Sequence, residues 1–307
     1  MPSCVAACIS GERRTPMKPK ANGADYMIHI LLMLMAVMTI LPFYNVFITS
    51  FADPASVVKQ QFYLIPTSFN LSSYRMLLDG SYVGKALLNS LIVTVFGTSV
   101  NMLVTTCGAY ALSKKSMPGR SIMMAGIVFT MLFSGGLIPY YLTIKGLQLI
   151  NHYGAMIFPV AVSTFFLIVM INHFRTIPPS LEESAKIDGA NDLYILFRIV
   201  IPISKPTIAA ITLFYAVARW NEWYNAMLFM TDTDKHPMQL FLRNMLADVT
   251  KMARDDMGAA MMSQLNQGYP DGIKMASVII TMVPIMLVYP YLQKHFSAGV
   301  TLGAIKE

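Results

Sequence analysis

The chain has 307 residues, of which 55% are hydrophobic and 13% are charged, and its formal net charge is +7. Soluble domains average about 45–50% apolar and about 25% charged residues, so this composition excludes an ordinary soluble domain. The basic residues do not form a stripe interleaved with aromatic residues, which argues against nucleic acid as a partner.

The hydrophobic residues are collected into long blocks. Five blocks contain no Asp, Glu, Lys or Arg, and a sixth contains only Arg219 and Glu222. A helix needs roughly 20 apolar residues to cross the hydrocarbon layer of a bilayer, so the blocks predict an all-α protein embedded in membrane lipid. Its six transmembrane helices are expected near 27–51, 86–113, 121–144, 153–174, 206–230 and 275–293, within a permease domain over 26–295.

Loop charges predict the orientation of these helices. Basic residues are frequent in the N-terminal tail, 1–25, and in the short loop after the second block, where Lys114, Lys115 and Arg120 lie. Short loops rich in Lys and Arg stay in the cytoplasm. Both termini, including the tail 296–307, are therefore expected in the cytoplasm, and the long loops 52–85 and 231–273 face outward.

The sequence shows no site for catalysis. It lacks a phosphate-binding loop, a dinucleotide-binding glycine motif and a nucleophile elbow, and Cys4 and Cys8 have no second pair to complete a metal site. The chain is therefore expected to be no enzyme and to bind neither a metal nor a cofactor itself. If nucleotide drives transport, another subunit must hydrolyse it.

The loop 180–202, between the fourth and fifth blocks, has an organisation of its own. Glu182 and Glu183 fall in the first turn of a predicted short helix, Gly189 permits a tight turn, and a second amphipathic segment runs to Pro202. One interpretation is an interfacial loop that merely joins two spans.

The spacing within this loop favours a more specific interpretation. Glu183-Ser184-Ala185, Gly189, Ile199 and Ile201-Pro202 resemble the EAA loop of permease subunits of binding-protein-dependent ABC importers, with Ser184 and Ile201 as mild departures. The resemblance implies a coupling helix that docks on an ATPase subunit. Its coupling residues are Glu182, Glu183, Ser184, Ala185, Gly189, Ile201 and Pro202.

Other segments resemble the sugar-importing branch of this family, which includes MalG-like and LplC-like permeases. They are residues 133–139, 220–223, 237–240 and 297–306. The resemblance implies the type I importer permease fold, a second homologous permease subunit and an extracytoplasmic solute-binding protein. It also implies two ATP-binding subunits that hold ATP and magnesium, location in a bacterial inner membrane, and transport by alternating access.

Arg219 and Glu222 interrupt the fifth block, and charged groups inside a membrane usually face a cavity or a partner. Aromatic and amide side chains surround them in the sequence, as is common where sugars bind. The predicted substrate pathway comprises Arg219, Trp220, Asn221, Glu222, Trp223, Asn225, Tyr140 and Tyr141.

Two interpretations of Arg219 stay open. An arginine that faces the pathway would suit a carboxylate, which motivates the hypothesis of an acidic, uronate oligosaccharide of the alginate or pectin kind. Alternatively, Arg219 and Glu222 form a structural pair. The alternatives for function are an ABC permease for a non-sugar solute and an ion-coupled secondary transporter.

Overall fold

A computed structural model describes residues 23–52, 69–79, 81–252 and 272–287. Over these ranges the protein is helical, and its only β pairing is an isolated bridge between Ala52 and Phe69. The all-α membrane class predicted from the sequence is confirmed. The helices are α1 Gly23–Ser50, α2 Ser72–Asp79, α3 Ser81–Ser113, α4 Arg120–Leu132, α5 Leu137–Gly146, α6 Gly154–Val160, α7 Thr164–Phe174, α8 Pro179–Ile187, α9 Asp192–Ile203, α10 Lys205–Trp220, α11 Tyr224–Phe229, α12 Met238–Met252 and α13 Gly272–Leu287.

The chain divides into two units, residues 1–46 and 47–307. In the first unit, the described part of α1 is apolar on all sides, and side chains such as Met33 and Met38 are more than two-thirds exposed. A helix that is apolar all round is suited to a lipid environment.

In the second unit, α3 is the central helix. Its 33 residues make it about 50 Å long, enough to cross a bilayer with a turn or more to spare. It packs against α7, α10 and α12. The face it turns toward them carries buried polar side chains, among them Asn89, Ser90, Asn101 and Thr105. Such side chains join membrane helices by hydrogen bonds where no water competes.

The block 121–144 differs from a single straight span. The chain bends by 118° between α4 and α5, across residues 133–136. Gly136 has φ +85°, a positive value that residues with a Cβ resist, and Gly135 precedes it. The chain becomes extended at Phe133, which ends α4, and Gly136 precedes the first residue of α5.

Two more blocks are interrupted. In 153–174, the chain bends by 50° between α6 and α7, with Pro159 in the last turn of α6. In 206–230, α10 ends at Trp220 and α11 begins at Tyr224. Of 275–293, the part up to Leu287 is helical. The remainder of that block, most of the N-terminal tail, the C-terminal tail and parts of both long loops lie outside the described residues.

Among the described residues, the two largest apolar clusters lie in the second unit. One joins α3, α7, α9 and α10 through residues that include Met170, Leu196 and Tyr215. The other joins α3, α6, α11 and α12 through Met156, Phe229 and Leu240, each at most 1% exposed. A smaller contact lies at the end of α1, where Ser50 hydrogen-bonds Tyr74 of α2 at 2.8 Å. Burial raises the pKa of the Tyr74 phenol, and the Ser50 hydrogen bond opposes that shift.

Candidate functional site

The predicted coupling loop folds as two short helices joined by a left-handed turn. Gly189 has φ +82°, and its N–H donates to the Lys186 carbonyl at 3.0 Å. The next amide, that of Ala190, donates to the Ala185 carbonyl at 2.9 Å. Together these bonds satisfy carbonyls at the end of α8, as a glycine-terminated helix does. Helix α9 then meets α10 at 89°, so α9 does not continue the fifth span.

The two glutamates of this loop have different surroundings. Glu182 is partly buried and pairs with Lys114, which follows α3. Lys114 also lies over the ring of Tyr110, 4.1 Å from its centroid. Glu183 is exposed and available to a partner. Of the pair predicted to contact an ATPase, the structure therefore leaves Glu183 free and uses Glu182 within the chain.

The exposed side of the loop is partly apolar. Ile187, at the end of α8, is 87% exposed, and Ser184 is exposed nearby. A concavity of about 550 Å³ beside the turn is lined by Ala185, Asp188, Gly189, Asn191, Tyr194 and Arg198. Ile201 packs inward against the larger cluster, whereas Pro202 is exposed near the end of α9. An exposed apolar side chain beside a concave surface with charged residues is suited to docking on another protein.

Arg219 is buried inside the chain, with 5% of its surface exposed. Its Nε donates to Asn101 Oδ1 at 3.0 Å, its Nη1 donates to the Met156 carbonyl at 2.8 Å, and its Nη2 donates to the Val160 carbonyl. Glu222 Oε2 lies 3.9 Å from Nη1. The guanidinium is thus committed to α3 and α6, and the geometry favours the structural interpretation of Arg219.

The close approach of Arg219 to α3 depends on Gly97. A Cβ built on Gly97 would lie 2.8 Å from Arg219 Cδ, closer than two carbon atoms can approach. Asn101, one turn further along α3, donates to the Val160 carbonyl at 2.9 Å. Neither residue was singled out by the sequence, because only the packing of α3 on α10 reveals their role.

A second group of predicted pathway residues forms a hydrogen-bonded chain. Tyr140 donates to Asn225 Oδ1 at 2.7 Å. The backbone N–H of Asn225 donates to Glu222 Oε1 at 2.9 Å. Tyr141 instead stacks on Phe229, with ring centroids 5.9 Å apart. The structure therefore joins Tyr140, Asn225, Glu222 and Arg219 and leaves Tyr141 in an aromatic contact.

The two tryptophans also differ. Trp220 is 8% exposed and donates to the Thr281 carbonyl of α13 at 3.3 Å. Trp223 is 39% exposed, and the Arg243 guanidinium lies over its ring at 5.1 Å. Asn221 is exposed and accepts a hydrogen bond from Gln239 at 3.0 Å. Gln239 falls in a segment that resembles the sugar branch, but no pattern in the sequence singled out Arg243.

A groove of about 520 Å³ runs along α3, α9 and α10. Its wall is mainly apolar but includes the hydroxyls of Thr94 and Thr98, which have no hydrogen-bond partner among the described residues. Thr212 of α10 lines the opposite side. Both hydroxyl oxygens are themselves buried, so the surface that the groove presents is mainly apolar.

Similarity to known proteins identifies the family. The polygalacturonan/rhamnogalacturonan transport system permease protein YtcP of Bacillus subtilis (strain 168) is 45% identical over 285 residues, covering 92% of this chain and 98% of the relative. This chain belongs to the permease subunits of sugar ABC importers. Protein LplC of the same organism is 40% identical over 270 residues, covering 87% of this permease and 90% of the relative.

A solved structure agrees in both fold and sequence. One chain of a bacterial ABC transporter involved in import of the acidic polysaccharide alginate superposes with a TM-score of 0.83 at 31% identity, covering 91% of this permease and 100% of that chain. A chain of an alginate ABC transporter complex shares the fold, with a TM-score of 0.52 at 16% identity, over 88% of this permease and 93% of that chain. No family model matches the permease.

Proposed function

We propose that this permease carries acidic oligosaccharides of the uronate type into the cell by ATP-driven alternating access. The observation that carries the substrate class is its similarity to two proteins named for acidic polymers. One is the polygalacturonan/rhamnogalacturonan permease at 45% identity, and the other is the alginate importer chain at 31% identity. Both polymers are built with uronate sugars, which bear a carboxylate.

The permease acts, in this proposal, beside a second homologous permease subunit and on two ATPase subunits that hold ATP and magnesium. A solute-binding protein delivers the sugar from outside. The exposed Glu183 and Ile187 support an ATPase contact at the coupling loop, where an acidic and an apolar side chain can each find a partner. This chain itself needs no cofactor for such a role.

Contacts between loops support the proposed topology, with both termini in the cytoplasm of a bacterial cell and the spans in its inner membrane. Glu182 of the coupling loop pairs with Lys114, so two loops predicted to be cytoplasmic lie together. Lys85, at the opposite end of α3, pairs with Asp234 at 2.9 Å, which brings together two segments predicted to face outward.

Alternating access requires that motion at the coupling loop reaches the spans. Helix α9 shares the larger apolar cluster with α3, α7 and α10 through Ile195, Leu196 and Val200, each at most 1% exposed. A close-packed core transmits displacement rather than absorbing it. ATP-driven closure of the ATPases would thus move α9 and, with it, the helices on which it packs.

The alternatives find less support. An ion-coupled secondary transporter usually relies on intramembrane carboxylates, and within the six blocks only Glu222 qualifies. That carboxylate accepts two hydrogen bonds from Asn225 and lies beside Arg219. An ABC permease for a non-sugar solute would not need intramembrane carboxylates. The relatives named for sugar polymers argue against such a solute.

To test this proposal, the complex is purified through a tag on this chain and reconstituted in lipid nanodiscs. ATP hydrolysis is measured with binding protein loaded with a galacturonate trisaccharide or with maltotriose. We expect stronger stimulation by the acidic sugar. Equal stimulation would overturn the acidic substrate class, and the absence of any ATPase from the purified complex would overturn the ATP-driven mechanism.

A further inference from the structure

The start of α12 meets the break between α10 and α11 through two side-chain pairs. Gln239 and Arg243 are four residues apart and so share one face of α12. Gln239 donates to Asn221 at 3.0 Å, and Arg243 lies over Trp223 at 5.1 Å. The four side chains form one surface patch, in which Gln239 is half-buried and the other three are exposed; we call it the Trp223–Arg243 patch.

The backbone under this patch is firmly held. Met238 is fully buried, and its N–H donates to Ser90 Oγ of α3 at 2.8 Å. Asn89 donates to the carbonyls of Asp234 and His236 at 2.8 and 3.1 Å. The patch is therefore presented by a fixed platform, and little ordering entropy is lost when a ligand binds to such a platform.

The chemistry of the patch is that of acidic sugar recognition. Trp223 offers an aromatic surface, and Asn221 and Gln239 offer amide groups that can bond to hydroxyls. Among the residues that the structure describes, none places a carboxylate oxygen within 4.0 Å of the Arg243 guanidinium, which is exposed. A guanidinium stacked on an aromatic ring keeps its forked donors free for a carboxylate.

Arg219 is unsuited to this task, because its donors already bind Asn101, Met156 and Val160. We propose that the Trp223–Arg243 patch is an entry subsite for a uronate residue of the transported oligosaccharide, in which Arg243 pairs with the sugar carboxylate. This inference rests on the proposed function and the proposed outward orientation of the end of α10. It assigns charge selection to α12 instead of the fifth span.

The test compares Arg243→Gln and Arg243→Lys with Arg75→Gln in the reconstituted complex. Arg75 is an exposed arginine of α2, so its replacement removes the same charge elsewhere on the proposed outer side. Uptake is measured for a galacturonate trisaccharide and for the same trisaccharide after reduction of its carboxyls. Binding of the free galacturonate trisaccharide to the vanadate-trapped complex is measured in parallel.

We expect Arg243→Gln to lower uptake and binding of the acidic sugar about tenfold, the effect of losing one charge-assisted pair. Arg243→Lys should retain part of both, because lysine keeps the charge but loses the fork. The reduced sugar and the Arg75→Gln variant should show no such loss. Where the wild-type complex does not take up the reduced sugar, the binding measurement alone decides.

Equal losses for both sugars, or unchanged binding of the acidic sugar by Arg243→Gln, would overturn the subsite. A lower affinity for the binding protein, whatever its cargo, would overturn it as well and make Arg243 a protein contact. If the wild-type complex transports no acidic sugar, the proposed function fails before the subsite is reached. The two failures are therefore distinguishable.

Discussion

The Arg219 guanidinium donates to the carbonyl oxygen of Met156 across 2.8 Å. Met156 lies in α6, just before the interruption of the fourth block, where the end of a helix leaves carbonyls without intrahelical partners. Tyr215, one turn before Arg219 on α10, accepts a hydrogen bond from the Ser163 N–H at 3.0 Å, on the far side of the same interruption. Helix α10 therefore completes the hydrogen bonding of a broken span.

Replacing Arg219 with alanine should weaken the fold without changing substrate preference. The change leaves the Met156 carbonyl and Asn101 without a donor in a buried site, and each such loss costs about 1–3 kcal/mol. We expect a lower thermal unfolding temperature of the detergent-solubilised complex and equal proportional losses in uptake of acidic and reduced sugars. Normal stability with selective loss of acidic sugar uptake would contradict this assignment.

Gly97→Ala should reproduce the effect of disturbing Arg219 from the other helix. The added Cβ would lie 2.8 Å from Arg219 Cδ, so the arginine or α3 must shift. Overpacking of this kind costs about 1–3 kcal/mol. Gly84→Ala on the same helix is the matched control, because nothing lies within 4 Å of its added Cβ. Thermal unfolding should separate the two variants, and equal stability would show that the close contact is unimportant.

Gly189→Ala should uncouple ATP hydrolysis from transport. The φ of +82° at this turn costs a residue with a Cβ about 1 kcal/mol or more, so alanine favours a different path between α8 and α9. Asparagine tolerates the left-handed region better, and Gly189→Asn should retain more activity. The ratio of sugar transported to ATP hydrolysed is the measurement. An unchanged ratio in Gly189→Ala would show that the turn does not set the coupling geometry.

Glu182→Gln and Glu183→Gln should have different effects although the residues are adjacent. Glu183→Gln is expected to reduce the amount of ATPase that purifies with the permease, since Glu183 is the exposed member. Glu182→Gln is expected to lower thermal stability, because it weakens the partly buried pair with Lys114.

A double-mutant cycle with Lys114→Met tests the second expectation, since two residues that interact show non-additive effects on the free energy of unfolding. Additive effects, or loss of the ATPase in Glu182→Gln alone, would reverse the assignment of the two glutamates.

The sequence predicted the parts of this protein that depend on local pattern. The long apolar blocks are helical in the structure. The spacing of the loop residues predicted a turn at Gly189, and Gly189 does have a positive φ. The 118° angle between α4 and α5 was not predicted, although Gly135, Gly136 and Pro139 lie at its bend. These residues permit an interruption, but its angle depends on the packing of the helices around it.

Contacts between distant residues limited the prediction of the site. Arg219 and Asn101 are 118 positions apart, and Glu182 and Lys114 are 68 apart. From the sequence, Arg219 was as compatible with a substrate as with a structural pair. Its burial follows from the glycine at position 97, which no pattern near Arg219 reveals. Tyr140 and Asn225 were both predicted in the pathway, and the structure shows that they bond directly.

The 89° angle between α9 and α10 gives this permease a simple mechanical property. A push along the axis of α9 acts across α10, so it tilts α10 rather than sliding it. Helix α10 has 16 residues, which makes a lever arm of about 24 Å. If the hydrogen bonds of Arg219 to α3 and α6 hold the far end of α10 in place, a displacement of about 2 Å at Ser204 rotates α10 by about 5°. In the proposed ATP-driven mechanism, a small displacement at the coupling loop would thus become a rotation of α10.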